Sequence, residues 1–370
     1  MRIFHLAPNM NYGGLQTIVR LLALNQAQAG HTVTVGCWAN QSNHPEAERE
    51  LEQNGVRIVH LRRAMDGGME SARMLLLGRL KGYLGRGNTD ILHVHNPFGY
   101  YLYGAMAARA ARGTRVVNTV HFTAMFDHPL FGRKGRSVFW SAAMLSDAII
   151  SVCTEVDAFM RNRFFLPGLK YFVVDNGIDL RPFLAVPARR LREEVVFGFA
   201  ARMAPEKNHR MLLDAFALTY REHRNIRLRL LGGGALEPAL RRQAIDLGIQ
   251  DVVEFRGFSH DVAGFFCSLD VFVSPSSFEG LPLGLLEAIA SGLPVVATAV
   301  DSVPRIVRSA EAGWVCPPND PEALMSIMEK ALVAEDRITR GERARTRIAE
   351  YYSAERMSKD YEQVYRTLVQ

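Results

Sequence analysis

The first half of the chain alternates short apolar runs with segments in which apolar residues recur at helical spacing. The run Arg2–Ala7 is apolar, and after a loop the apolar positions from Leu15 to Ala29 follow a helical period. The same alternation continues to Val120, with strands predicted at 31–37, 56–61, 91–94 and 116–120 and helices at 45–54, 69–84 and about 99–111. Strands separated by helices are typical of a parallel, doubly wound sheet.

The alternation starts again near residue 195. Phe183–Glu194, between the two halves, is rich in proline and arginine and has the composition of a linker. Beyond it the pattern predicts strands at 195–200, 226–231, 252–255, 271–273 and 294–298 and helices at 211–220, 238–247 and 283–290. Asp320 before Pro321 is an N-cap signature, and long helices follow to Gln370. We therefore predict two α/β domains with a cleft between them, residues 1–183 and 184–352.

Length and composition agree with this division. A chain of 370 residues is too long for one compact core, and 48% hydrophobic with 22% charged residues excludes a wholly disordered protein. The apolar run before Pro8 is too short for a secretory signal, and Leu281–Val300 contains Glu287 and two prolines, which favours a helix followed by a strand over a membrane span. Four cysteines without a CxxC pair predict reduced thiols and a cytoplasmic protein.

The positive charge is concentrated in the first half. Residues 1–181 hold 20 Lys and Arg against 13 Asp and Glu, whereas the remainder is nearly neutral. The basic clusters include Arg133-Lys134-Arg136. Such a surface suits an anionic partner, either an anionic membrane surface or a phosphorylated lipid, and no nucleic-acid-binding motif accompanies it. The alternative is that these residues are solvated helix faces that only aid solubility.

The segment Ser274–Thr298 carries the strongest candidate chemistry. After the strand at 271–273, Phe278-Glu279-Gly280 is predicted to turn into a helix, with Glu279 at its mouth. The backbone N–H groups of Gly280, Leu281 and Leu283 would then point at a phosphate. Glu287 lies about two turns into the helix on an otherwise apolar face. A partly buried carboxylate needs a partner, and a ribose diol would serve.

This spacing of Glu279 and Glu287 resembles the E-x7-E signature of the retaining glycosyltransferases of family 4. Other segments resemble that family in the same order along the chain: Gly13-Gly14, Asp175–Asp179, Ala201–Asn208, Leu230–Gly234, Val253–Phe258 and Tyr352–Met357. The resemblance implies the GT-B fold, in which two Rossmann-like domains face a central cleft. It also implies that the final helix, 353–370, packs back on the first domain.

The resemblance implies roles for individual residues. Arg202 and Lys207 would hold the diphosphate leaving group, whose negative charge is the main electrostatic task of the reaction. Glu279 would meet the transferred sugar and His121 would contact the donor sugar, although a structural role for His121 stays open. Residues beside the nucleotide would be Gly13, Gly14, Gly232, Gly257, Phe258, Gly280, Leu281, Leu283 and Glu287.

His93 and His95 lie two apart on one strand and share a face, but a zinc site would need further ligands. Without an Asp-x-Asp pair or a His/Cys cluster at ligand spacing, no metal and no cofactor are expected. The nucleotide sugar is a co-substrate. One departure from the family is the stretch Asp301–Arg305, where arginine replaces the usual glutamate.

The resemblance implies a hexosyl- or N-acetylhexosaminyltransferase. By frequency in the family, a uridine diphosphate sugar is the first choice of donor and a guanosine diphosphate sugar the second. The acceptor would be a lipid-linked saccharide or a growing polysaccharide, reached by peripheral contact with the inner membrane. Two alternatives stay open. A sugar-nucleotide epimerase shares the fold but needs an acid/base set that the sequence does not reveal. A non-catalytic nucleotide-sugar-binding protein would not need the retained Glu279, Arg202 and Lys207.

Overall fold

The computed structural model describes residues 1–11, 13–38, 45–61, 69–85, 88–96, 99–123, 126, 132–185 and 193–370. Two compact units are present. The first comprises Met1–Gly177 and Ala354–Gln370, and the second comprises Ile178–Ser353. The sequence places the first boundary six residues later. It falls earlier because Ile178 pairs with Ser353 in an isolated β-bridge, so the segment after Gly177 belongs to the second unit.

The first unit is a parallel sheet with helices in the connections. Its elements before the second unit are β1 (Arg2–Ala7), α1 (Gly14–Gln28), β2 (Thr32–Cys37), α2 (Pro45–Gln53), β3 (Arg57–His60), α3 (Met69–Leu84), β4 (Ile91–His95), α4 (Gly99–Ala111), β5 (Arg115–Val120), α5 (Gly132–Met144), β6 (Ala148–Ser151), α6 (Thr154–Phe164) and β7 (Lys170–Val173). In the described residues the strand order is β3-β2-β1-β4-β5-β6-β7. The sequence analysis identified the first five strands but not the four-residue strands β6 and β7.

The second unit repeats the architecture. Its elements are α7 (Arg181–Leu184), β8 (Val195–Ala200), a 3-10 turn (Pro205–Lys207), α8 (His209–Glu222), β9 (Ile226–Leu231), α9 (Glu237–Asp246), β10 (Val253–Phe255), α10 (Val262–Cys267), β11 (Val271–Ser274), α11 (Leu283–Ala290), β12 (Val295–Thr298), α12 (Val303–Ser309), β13 (Gly313–Cys316), α13 (Pro321–Lys330) and α14 (Ala334–Tyr351). The described strands follow the order β10-β9-β8-β11-β12-β13. Asp320 caps α13 through the Ala323 N–H at 2.9 Å, as predicted.

Burial explains why the central strands are mostly apolar. Every residue of β4, β6, β11 and β12 is buried, because helices cover both faces of a parallel sheet. The edge strand β3 is instead exposed at both ends. In each sheet the strand order reverses once, between β1 and β4 in the first unit and between β8 and β11 in the second. Loops diverge at such a point and leave a crevice beyond the carboxyl ends of the strands.

The last helix, α15 (Ala354–Val369), packs on the first unit against α1. Its apolar face buries Tyr361 and Tyr365 completely. Arg356 at its start donates to the carbonyl of Asp175 at 2.7 Å, and Lys170 donates to the carbonyl of Thr367 near its end. Both ends of the helix are therefore anchored to the unit that begins the chain.

Two further expectations concern the apolar segments and the cysteines. Leu281–Val300 is a helix followed by a strand, as predicted, and none of the helices among the described residues is long and apolar enough to span a membrane. The four cysteines are free thiols. Burial raises the pKa of Cys37 and of Cys153 to about 12, which keeps them protonated at neutral pH.

Some basic residues of the first half and part of the linker lie outside the described part of the chain. They are the basic residues Arg62, Arg63 and Arg86, the side chains of Arg133 and Lys134, and linker residues 186–192.

Candidate active site

The predicted donor-binding residues of the second unit meet where β8 and β11 lie side by side. Arg202 follows β8, Lys207 ends the next turn, and Glu279 follows β11. β8 and β11 are parallel neighbours, so their carboxyl ends lie at the same edge of the sheet. This edge is also the point at which the strand order reverses, which is where open α/β sheets bind ligands.

Lys207 and Glu279 form an ion pair at this edge. The Lys207 Nζ lies 2.6 Å from Glu279 Oε1 and 2.8 Å from Oε2, and the Ser276 hydroxyl donates to Oε1 at 2.7 Å. The side chains of Lys207 and Glu279 are only 24% and 10% exposed. Both residues were predicted site residues, but their pairing was not predicted, because 72 residues separate the two charges. The contact of Ser276 was not predicted either. The pair fixes a cation and an acid together at the reversal point.

Arg202 is held differently. Its side chain is 73% exposed and donates to Glu206 Oε1 at 2.7 Å in an i,i+4 pair. Exposed pairs of this kind contribute about 0–1 kcal/mol, so the guanidinium can exchange Glu206 for another anion at little cost. A planar fork of donors on a weakly held side chain suits a phosphate group.

Glycines bring the end of β9 close to the Arg202 loop. A Cβ on Gly232 would lie 2.2 Å from the carbonyl oxygen of Ala201, and one on Gly234 would lie 2.4 Å from that of Met203. The Met203 N–H donates to the carbonyl of Gly233 at 2.9 Å. Side chains at these glycines would push the two loops apart. Gly232 was a predicted site residue, whereas the packing role of Gly234 was missed.

Gly257 and Phe258 lie at the same edge, after β10. Gly257 has a positive φ of 64°, and its carbonyl accepts from the Gly232 N–H at 2.7 Å. Phe258 is 54% exposed, and its ring stands edge-on to His260 with the centroids 5.2 Å apart. An exposed aromatic face beside a built turn can stack on a planar base.

The loop before α11 differs in detail from the predicted helix mouth. Pro282 is extended, with ψ at 119°, so the helix begins at Leu283 and Glu279 lies in the preceding loop. The N–H of Glu279 donates to the Asp301 carboxylate at 2.8 Å, and the Ser302 hydroxyl donates to the carbonyl of Gly280 at 2.6 Å. Of the three N–H groups predicted to face phosphate, that of Leu283 lies in the first helical turn and those of Gly280 and Leu281 lie in the loop.

Glu287 lies in the second turn of α11. Its neighbours Leu285, Leu286, Ala288 and Ile289 are buried, and Glu287 itself is partly exposed, as its place in the sequence indicated. Only the interval from Leu283 to Glu287 is helical, a rise of about 6 Å. The rest of the distance between Glu279 and Glu287 is spanned by the loop that precedes α11.

In the first unit, Gly13 and Gly14 begin α1 directly after the loop that follows β1. Gly13 has an extended backbone and caps the helix without a side-chain hydrogen bond. A Cβ there would lie 2.5 Å from the Gln16 side-chain oxygen. The Gln16 amide in turn donates to Asn9 Oδ1 at 2.9 Å, so the glycine leaves room for a hydrogen-bonded loop at the reversal point of this sheet.

His121 follows β5 and is 8% exposed. Its Nε2 lies 3.4 Å from His95 Nδ1, and its backbone N–H donates to Asn96 Oδ1 at 3.3 Å. Burial lowers the pKa of His121 to about 3. The ring is therefore a neutral hydrogen-bonding group at physiological pH and supplies no positive charge.

A third histidine, which the sequence did not single out, lies beside His93 and His95. Residue His5 of β1 stands in register with His93, and the cluster His5, His93 and His95 offers ring nitrogens within 4.8 Å of one another. His93 is already engaged at both nitrogens, by the Thr119 hydroxyl at 2.7 Å and the Tyr365 hydroxyl at 2.6 Å. The cluster is thus a hydrogen-bonded network. The sequence signal for this cluster is that His5, His93 and His95 occupy alternate positions on strands that pair as neighbours.

Each of the two structural units matches a known protein family. Residues 12–181 match the family described as Glycosyltransferase Family 4, and residues 194–333 match the one described as Glycosyl transferases group 1. The two matches follow the two structural units in order.

Several relatives of the chain are named as glycosyltransferases. The chain is 27% identical over 268 residues to a UDP-Gal:alpha-D-GlcNAc-diphosphoundecaprenol alpha-1,3-galactosyltransferase of Escherichia coli, covering 67% of each chain. It is 28% identical over 351 residues to a D-inositol 3-phosphate glycosyltransferase of Saccharomonospora viridis, covering 84% of this chain and 79% of that one. The match to WcaL of E. coli, named for colanic acid biosynthesis, is 32% identical but spans only 43% of this chain and 41% of that protein; for WcaL of Salmonella typhimurium the match spans 52% of the relative.

Solved structures share the fold over the whole chain. HepE of Anabaena, solved with UDP and glucose, superimposes with a TM-score of 0.82 at 18% identity, covering 99% of this chain and 100% of that one. Sucrose-phosphate synthase of Thermosynechococcus elongatus gives 0.79 at 20% identity, covering 100% and 99%. The fold is therefore that of the GT-B glycosyltransferases, as predicted. Family matches and relatives together support a glycosyltransferase of this fold.

Proposed function

We propose that this protein is a retaining glycosyltransferase that moves a sugar from a nucleoside diphosphate sugar to a lipid-linked or polysaccharide acceptor. The observation that carries the proposal is the Lys207–Glu279 pair at the β8/β11 reversal point, with Arg202 on the adjoining loop. A cation beside a carboxylate in this position suits a ligand that carries a diphosphate next to a sugar.

The chemistry follows from the charges. When the glycosyl bond to the diphosphate breaks, negative charge develops on the departing phosphate oxygen, and fixed cations that meet it lower the barrier. Lys207 is the preorganised cation, because Glu279 and its surroundings hold it in place before the donor arrives. Arg202 is the mobile one. The described site holds no built nucleophile–base pair, which favours attack on the face from which the diphosphate leaves, with the leaving phosphate accepting the acceptor's proton.

Glu279 has a separate role in the proposal. Its carboxylate accepts from Lys207 and Ser276, so its orientation is fixed by two donors. A carboxylate fixed in this way can accept hydrogen bonds from the hydroxyls of the transferred sugar. Glu287, on the second turn of α11, is proposed to hold the ribose hydroxyls.

A uridine diphosphate sugar is the proposed donor, with a guanosine diphosphate sugar second. The named galactosyltransferase uses UDP-Gal, and HepE was solved with UDP and with UDP-glucose. A hexose is therefore the first sugar to test, and an N-acetylhexosamine the next. We further propose that the reaction needs no metal and no cofactor, since Lys207 and Arg202 supply the positive charge; activity that survives a chelator would agree.

The proposed acceptor is a saccharide on a lipid diphosphate, or a growing polysaccharide unit. The galactosyltransferase relative acts on a diphosphoundecaprenol-linked sugar, and WcaL is named for colanic acid biosynthesis. The net positive charge of residues 1–181 suits an anionic lipid surface. We accordingly propose a cytoplasmic enzyme that contacts the inner membrane peripherally.

Thermal unfolding in the presence of nucleotides tests the donor half of the proposal. UDP, GDP and ADP would be added to the wild type, to Lys207→Met and to Lys330→Met, an exposed lysine on α13 that serves as the matched control. A ligand at 100 times its Kd stabilises the folded state by about 2.7 kcal/mol. We expect UDP to raise the midpoint of the wild type and the control but to raise that of Lys207→Met much less. Equal shifts in all three proteins would contradict the site.

A further inference from the structure

Three of the buried histidines of the first unit form one continuous chain of hydrogen bonds that ends at His121. Gln26 Oε1, on α1, lies 2.7 Å from His5 Nε2. His5 Nδ1 lies 3.0 Å from His95 Nε2, and His95 Nδ1 lies 3.4 Å from His121 Nε2. The chain runs from a helix through β1 and β4 to the end of β5, and it uses both ring nitrogens of His5 and of His95.

Each of these rings is neutral at physiological pH. Burial lowers the pKa of His5 to about 4 and that of His121 to about 3, and it lowers the pKa of His95 well below its usual value. A neutral imidazole carries one N–H donor and one lone pair. In a chain of neutral rings, the direction of one hydrogen bond therefore fixes the direction of all the others.

Gln26 sets that direction. Its Oε1 has only lone pairs, so His5 donates through Nε2 and keeps a lone pair at Nδ1. That lone pair accepts from His95 Nε2–H, which leaves a lone pair at His95 Nδ1 to accept from His121 Nε2–H. His121 is then the Nε2–H tautomer. Its Nδ1 carries the lone pair that the chain leaves for a further partner.

We propose that Gln26, through His5 and His95, is a positioning residue that holds His121 as the Nε2–H tautomer, so that Nδ1 accepts a hydrogen bond from a hydroxyl of the sugar substrate. The tautomer is a property of the folded chain alone. The identity of the partner rests on the proposed function, together with the family resemblance, which implies that His121 contacts the donor sugar.

The same cluster contains a matched control. His93 packs against His95, with ring centroids 4.0 Å apart, but its nitrogens bond to Thr119 and to Tyr365 and take no part in the chain. Tyr361→Phe removes the buried hydrogen bond between the Tyr361 and Thr119 hydroxyls, next to the chain, without removing any member of it. A merely structural role for the cluster predicts that Tyr361→Phe and Gln26→Leu behave alike.

The tautomer can be read directly by long-range ¹H–¹⁵N correlation on the full chain labelled at histidine. His121 is assigned from the signals that are lost in His121→Gln. In the wild type we expect a protonated Nε2 and an unprotonated Nδ1 for His121. Gln26→Leu should shift its population toward Nδ1–H, whereas Tyr361→Phe should not. Gln26→Glu, whose carboxylate is an acceptor at the same position, should restore the wild-type pattern.

The proposal is overturned if His121 is the Nδ1–H tautomer or an even mixture in the wild type, or if Gln26→Leu folds and keeps the wild-type tautomer. If Gln26→Leu does not fold, Gln26→Met, which removes the acceptor with an unbranched side chain of similar length, makes the same test. At metal sites, loss of the partner that orients a histidine ligand costs about 10–100-fold in affinity or activity, and we expect a comparable cost here. Turnover of the nucleotide sugar should therefore fall by at least about tenfold in Gln26→Leu, with a smaller change in donor KM. If His121 is held as the Nε2–H tautomer but the protein transfers no sugar, the proposed function is refuted. The hydrogen-bond relay from Gln26 through His5 and His95 to His121 would still stand.

Discussion

Acidification should destabilise the first unit through its buried histidines well before its carboxylates titrate. Four histidines of this unit are completely or almost completely buried: His5, His93, His95 and His121. Burial lowers the pKa of each, to about 4 for His5 and about 3 for His121, and well below the usual value for the other two. In the unfolded chain the same rings titrate near pH 6.5.

The sign follows from linkage. A group whose pKa is lower in the folded state binds fewer protons there, so the free energy of unfolding falls as the pH drops below the unfolded pKa. The stabilisation is complete above pH 6.5 and is lost progressively toward pH 4. Between pH 7 and 5.5, one such histidine costs about 1.3 kcal/mol and four cost about 5 kcal/mol. This is a large share of the 5–15 kcal/mol that typically stabilises a domain.

Tryptophan fluorescence can follow each unit separately during urea unfolding. Trp38 and Trp140 lie in the first unit and Trp314 in the second. Trp314→Phe therefore reports the first unit, and the double variant Trp38→Phe/Trp140→Phe reports the second. The range pH 7 to 5.5 avoids the carboxylates; the pKa values of Asp90 and Glu362, for example, are lowered further by their arginine partners.

We expect the urea midpoint of the first unit to fall steeply over this range. His93→Phe should reduce the slope by about a quarter, whatever its effect on stability at pH 7. The second unit should respond less. There burial lowers the pKa of a single histidine among the described residues, His209, to about 4. A midpoint of the first unit that stays constant from pH 7 to 5.5 would show that these rings are protonated or hydrated in the fold, and would refute the reasoning.

Three other perturbations probe the candidate site. Lys207→Ala should lower turnover by on the order of 10²-fold or more by removing the preorganised cation, and Arg202→Ala should lower it strongly too; steady-state rates equal to wild type in both would remove the leaving-group assignment. Calorimetry with UDP should show weaker binding for Glu287→Gln and near-normal binding with impaired transfer for Glu279→Gln, and the opposite pattern would exchange their roles. Asp301→Asn keeps an acceptor for the Glu279 N–H, and asparagine tolerates the positive φ of 39° at this position. Because the change removes a negative charge beside the candidate site, nucleotide affinity should rise by up to about fivefold. A weaker affinity would mean that the Asp301 carboxylate itself helps the donor to bind.

The sequence predicted the fold well because periodicity and burial act locally. Strands such as β8 are apolar throughout and are separated by helical segments along the chain, so the doubly wound pattern is visible without any long-range information. The four-residue strands β6, β7 and β13 were missed, although strands of the same length such as β3 and β12 were predicted, so length alone does not explain the difference. The helix start at Leu283 depended on the conformation of Pro282, which is compatible both with a first helical turn and with an extended cap.

The candidate site residues were predicted from motifs that are local in the sequence, but the partners of their side chains were not predictable. Lys207 and Glu279 are brought together by the β8–β11 pairing, and Asp301 reaches Glu279 from the loop after β12. The relay from Gln26 to His121 depends on the register of β1, β4 and β5, which sets His5, His95 and His121 in reach of one another. Such contacts depend on strand pairing between segments that are far apart in the sequence, so the local sequence pattern does not predict them.

The release of nucleoside diphosphate, measured with each donor in the presence and absence of a lipid-linked saccharide fraction, tests the central claim most directly. We expect release from one nucleoside diphosphate sugar, a uridine diphosphate sugar first, that depends on the acceptor, persists in Lys330→Met and is lost in Lys207→Ala. A protein that binds the nucleotide tightly yet releases none with any donor and acceptor, or that releases it equally well in Lys207→Ala, would contradict the account.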